Sequence, residues 1–82
     1  PARGQAMQPD KLIRMANQIA AFMASKPEDE GAAGLAGHLN DYWAPPMRAA
    51  LLALIAAGTG GLHPLVLKAA PLIRRPEDAR AG

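Results

Sequence analysis

The side chains that could do chemistry in this chain are few. His38 and His63 are its two imidazoles, Glu28, Asp29 and Glu30 form a run of acids, and there is no cysteine. The missing thiols exclude disulfides, thiolate zinc sites and cysteine nucleophiles. The histidines stand in different segments, with no further ligand at metal spacing, so they read as solvated or capping side chains. The acids read as a solvated helix start. No pair of carboxylates, no Ser/His/Asp set and no phosphate loop can be assembled. Gly31, Gly34 and Gly37 recur every third residue, but no strand precedes them, which argues against a phosphate cradle. The expectation is a chain that is not an enzyme, with no catalytic, cofactor-binding or metal-binding residue of its own.

Three helices and a short fourth are predicted to carry these side chains. The first runs from Pro9 to Ser25. Pro9 suits a first helical position and Asp10 the positive end of the helix dipole. Leu12, Met15, Ala16, Ile19, Phe22 and Met23 recur at three- and four-residue steps, which puts them on one face. The second helix runs from Pro27 to Tyr42, with Ser25 as a possible cap and three acids in its first turn. Each glycine inside it costs about 0.5–1 kcal/mol relative to Ala. Gly31 reads as a frayed first turn. Gly34 and Gly37 fit either that reading or a strip of small residues that lets another backbone approach. Trp43-Ala44-Pro45-Pro46 breaks the chain, and Pro46 opens a third helix that Gly58 stops after Ala57. Pro64 opens the short fourth helix, and Pro71 ends or kinks it. Residues 1–8 and 76–82 read as flexible arms flanking a helical domain over residues 9–75. The fold class is all-α, a small bundle.

The third helix has more apolar surface than such a domain can hide. Met47, Leu51, Leu54 and Ile55 form one face, Leu52 lies further round, and alanines cover the rest. A helix apolar all round is normally covered on both sides. Its alanine side faces either water or a partner. Arg48, the one charge between Asp41 and His63, falls within the apolar sector and has to snorkel or meet a carboxylate, either Asp41 or Glu30 or one from a partner. Trp43 reads as a core anchor, an interface anchor, or both, because Trp, Tyr and Arg dominate binding hot spots. The candidate partner interface is Tyr42, Trp43, Met47, Arg48, Leu52, Ala53 and Ala56.

A domain of 82 residues buries only about 60–65% of its unfolded surface, so a partner is the natural source of extra stability. The net charge of +2 is a mild bias with no basic stripe, and three aromatic residues are too few for a base-stacking platform. Nucleic acid is therefore not expected as a partner. The longest apolar stretch, Ala44 to Ala57, contains Arg48 and falls short of the ~20 residues that cross a bilayer. No membrane association is expected, and the lack of both cysteine and a visible export signal suggests the cytoplasm. Pro1 has no preceding Met, which suggests a processed or trimmed start.

Several strings together resemble a known family. They are Asp10-Lys11-Leu12-Ile13-Arg14-Met15-Ala16-Asn17-Gln18-Ile19-Ala20, then His38, then Tyr42-Trp43-Ala44-Pro45-Pro46-Met47-Arg48, then Gly61-Leu62-His63-Pro64-Leu65-Val66. Over about Pro9 to Arg75 the chain resembles the delta subunit of NAD-dependent formate dehydrogenase. Two departures stand out: Pro46 where the family usually has Arg, and His63 where it has a small or acidic residue. The first shifts any charged contact onto Arg48.

The resemblance implies membership of a soluble complex that oxidises formate and reduces NAD. Its large catalytic subunit carries a molybdenum or tungsten pterin and iron–sulfur clusters, and other subunits carry FMN and the NAD site. The chain would be a non-catalytic accessory subunit that binds none of these cofactors itself. It would stabilise or help assemble the complex by contacting the large subunit and possibly the others. The competing reading is a free-standing helical regulator or weak nucleic-acid-binding module.

Overall fold

The computed structural model describes residues 8–75. The arms expected at the two ends lie outside the described residues, apart from Gln8. Four α-helices follow in chain order: α1 Pro9–Met23, α2 Glu28–Tyr42, α3 Pro45–Ala56 and α4 Pro64–Ala69, then a 3-10 turn Ala70–Leu72. Among the described residues there is no strand, and the all-α expectation holds.

Proline starts three of these helices at a position where a missing N–H costs nothing. α3 begins at Pro45, one residue earlier than predicted, because Ala44 is the N-cap and its carbonyl accepts from Met47 N and Arg48 N. α1 ends at Met23, not Ser25. The Ser25 hydroxyl donates to Phe22 O at 3.0 Å, so it closes α1 and does not cap α2. Gly58 is the stop expected for α3. Its φ of +74° lets Gly58 N reach Ile55 O and Thr59 N reach Leu54 O, at 3.0 and 3.1 Å. That pair of bonds is a Schellman ending.

The core is built on α2. Ala32, Leu35, Ala36, Leu39 and Trp43 meet Leu12, Ala16 and Ala20 from α1 on one side and Leu65, Val66, Ala69 and Ile73 on the other. Alanine along α1 lets the helices approach closely. Phe22 departs from the predicted face and is 70% exposed. It sits about 200° round the helix from buried Ala20, outside the stripe that Leu12, Ala16 and Ala20 define.

Gly31 also departs from expectation. It is buried, and a Cβ there would lie 2.7 Å from the carbonyl oxygen of Met23. The turn over residues 24–27 folds the first turn of α2 tightly against the end of α1, and only a residue without a side chain fits. A Cβ at Gly34 would lie 3.1 Å from Met23 Sδ, the flexible part of a side chain, whereas one at Gly37 would meet open space. Close backbone approach therefore occurs at Gly31, while Gly34 meets only a side chain and Gly37 meets nothing.

Candidate docking surface

α3 packs against α1 and buries only Leu51 and Arg48 completely. Met47, Ala50, Leu52, Leu54 and Ile55 are half-buried against the core. Pro45, Pro46, Ala49, Ala53 and Ala56 are exposed. One side of this helix is thus apolar and uncovered in the chain itself. It borders a groove of about 330 Å³ formed by Leu52, Ile55 and Ala56 with Ala70, Pro71 and Arg75.

The structure divides the seven candidate interface residues. Leu52, Ala53 and Ala56 lie on or beside the uncovered side of α3, and Met47 is half-buried. Tyr42 is 76% exposed at the end of α2, with its ring 4.9 Å from that of His38 one turn back. Trp43 and Arg48 are inside the chain, at 6% and 5% exposure. Trp43 is therefore a core anchor in this chain.

Among the described residues Arg48 meets no carboxylate, contrary to the suggestion that Asp41 or Glu30 pairs with it. Its Nη1 donates to Trp43 O and its Nε to Arg74 O, both at 2.9 Å. Trp43 is the C-cap of α2, where helical carbonyls lack internal partners and the helix dipole is negative. The guanidinium thus replaces part of its lost hydration with two main-chain acceptors, one of them at a partially negative helix end. Arg48 internally ties the C-terminus of α2 to the segment that follows the 3-10 turn.

Two asparagines, Asn17 on α1 and Asn40 on α2, complete the scaffold. Asn17 Nδ2 donates to Gly61 O at 2.7 Å, and its Oδ1 accepts from His63 N at 2.9 Å. Asn40 repeats the arrangement across Ile73: Nδ2 donates to Leu72 O at 3.1 Å, and Oδ1 accepts from Arg74 N at 2.7 Å. Each amide pairs with an irregular backbone segment as a neighbouring strand would, one segment before α4 and one after it. Asparagine is a poor helix former, and for Asn17 its place in mid-helix was the available signal; Asn40, in the last turn of α2, carried none. His63 caps α4, its Nδ1 accepting from Leu65 N at 3.0 Å. Lys68 on α4 also reaches Glu28 and Asp29 on α2, at 3.5 and 3.6 Å, largely in solvent.

Among the described residues no cluster of three or more His, Asp or Glu could hold a metal, and no helix is long and apolar enough to cross a membrane. What the molecule offers is a small helical domain with a clamped interior and one uncovered apolar helix side. The chain matches the family model for the NADH-dependent formate dehydrogenase delta subunit, FdsD, over residues 11–70, and it belongs to that family. No curated protein matches it.

Proposed function

We propose that this chain is a non-catalytic accessory subunit that stabilises or helps assemble a molybdenum- or tungsten-dependent, NAD-reducing formate dehydrogenase complex in the cytoplasm. The observation that carries the reading is the uncovered side of α3, where Ala49, Ala53 and Ala56 are exposed beside half-buried Leu52. Family membership supplies the complex in which a cover would be found. The large catalytic subunit is the proposed partner. The docking surface is the α3 side with the groove beside it, together with exposed Tyr42 at the end of α2. Trp43, Met47 and Arg48 contribute by holding α3 in place. Small side chains let a partner helix approach to the short end of the ~8–10 Å interaxial range. The pterin, iron–sulfur clusters, FMN and NAD site belong, in this reading, to the other subunits.

Deleting the chain in its native cell tests the proposal. Formate-dependent NAD reduction and recovery of the intact complex both fall if it is right. A fully active, intact complex without the chain overturns it. A tagged chain that migrates at its own monomer mass and binds duplex nucleic acid in a salt-dependent way would favour the regulator reading instead.

A further inference from the structure

The first turn of α4 depends on a single residue for its backbone donors. Pro64, the first helical residue, has no N–H. Leu65 N donates to His63 Nδ1 at 3.0 Å, and Val66 N and Leu67 N both donate to His63 O, at 2.9 and 3.4 Å. His63 N is in turn held by Asn17 Oδ1 at 2.9 Å. A helix of six residues has little propagation to offset its nucleation cost, so its cap carries unusual weight. Leu65 and Val66, the residues that the cap sets in place, are both buried in the core.

Of these bonds, one depends on protonation. An imidazole nitrogen accepts a hydrogen bond only while it carries no proton, and the imidazolium form has two donors and no acceptor. We propose that His63 is a proton-sensitive latch: neutral, it closes the first turn of α4, and on taking up a proton it releases that turn. Protonation turns Nδ1 from acceptor into donor, facing the Leu65 N–H, and sets a cation at the positive end of a helix. Two charged groups share the cleft around the ring: Lys26 from the connection after α1, and Glu28 from the start of α2. Lys26 repels an imidazolium. Glu28 attracts it, but its carboxylate already faces Lys68 at 3.5 Å. Asn17, on α1, holds the His63 backbone in either state. The release is therefore local: the connection stays pinned while the start of α4 loosens.

The test uses the full-length chain, with amide exchange at Leu65 followed by NMR from about pH 8 to about pH 5, where histidine charge changes. After correction for the intrinsic exchange rate, protection at Leu65 is expected to fall by about tenfold, the effect of losing a good N-cap. His63→Asn keeps a capping oxygen that does not titrate, so its protection stays flat. His63→Ala is weakly protected throughout. In the wild type at the upper pH, the imidazole nitrogen shifts should show the proton on Nε2. A proton on Nδ1, an unchanging wild-type protection, or an equal fall in His63→Asn overturns the proposal.

Discussion

Asn40 and Arg48 grip opposite ends of one residue: Asn40 Oδ1 accepts from Arg74 N at 2.7 Å, and Arg48 Nε donates to Arg74 O at 2.9 Å. One gripping side chain comes from α2 and the other from α3, so a segment with no regular structure joins two helices. It also leads straight from Ile73, which is buried against the core. Arg48 additionally holds the end of α2 through Trp43 O, which makes it the junction of three elements. Replacing it with methionine leaves two carbonyls without their donor. Hydrogen bonds to charged groups contribute about 1.5–3 kcal/mol each, and some of the loss is recovered by removing a buried charge. We expect Arg48→Met to lower unfolding free energy by about 2–3 kcal/mol in urea titration. Arg48→Lys, whose donors all sit on one nitrogen where arginine uses two spaced ones, should recover only part of that.

The paired asparagines predict local effects more than global ones. Asn17→Ala removes both bonds to the segment before α4, and Asn40→Ala both bonds to the segment after it. Each variant should cost about 1–2 kcal/mol. Amide exchange gives the sharper reading. Protection at His63 drops in the first variant alone, and at Arg74 in the second alone. Asn40→Asp keeps the acceptor for Arg74 N but loses the donor to Leu72 O. It should preserve protection at Arg74 better than Asn40→Ala does.

Gly31 and Gly37 make a matched pair on one helix. Replacing a mid-helix glycine with alanine normally stabilises by about 0.5–1 kcal/mol. At Gly37 a Cβ meets nothing within 4 Å, and Gly37→Ala should show that gain. At Gly31 the same Cβ meets the Met23 carbonyl at 2.7 Å, and a main-chain atom yields only if the helices part. Gly31→Ala should therefore destabilise by about 1–3 kcal/mol, the usual cost of overpacking. Thermal unfolding of the two variants side by side checks the opposite signs.

What the sequence made legible were features with local causes. Prolines at helix starts, the periodic apolar residues of α1 and the stop at Gly58 all act through their own backbone and near neighbours, and the helices fall within a residue or two of where they are predicted. The partners of Arg48 were not legible, because main-chain carbonyls leave no mark in a sequence and every residue has one. A carboxylate was the natural guess for a buried guanidinium; the fold supplies a helix end instead. Gly31 was misread for a related reason: its crowding arises from the path of the turn before α2, a tertiary fact. Trp43 was legible in half. Its size marks it as an anchor, while only the fold shows that it anchors inward.

That distinction governs how the proposed docking surface has to be tested. Trp43→Ala and Arg48→Glu look like interface probes, but both residues are buried, and truncating a core tryptophan costs about 3–5 kcal/mol of stability. Loss of association in either variant would reflect an unfolded chain as readily as a lost contact. Ala53 and Ala56 are exposed on α3, so larger side chains there have room in the isolated chain. Ala53→Arg and Ala56→Glu should change unfolding free energy by no more than about 0.5 kcal/mol. If a partner helix packs closely on this side, each introduces an unpaired charge where two backbones approach, and association with the large subunit should weaken by about 2 kcal/mol or more. An exposed substitution on a different helix, Gln18→Arg on α1, is the control and should leave association unchanged. Equal co-purification of all three variants with the large subunit would remove α3 from the docking surface while leaving the fold, the clamps and the family assignment in place.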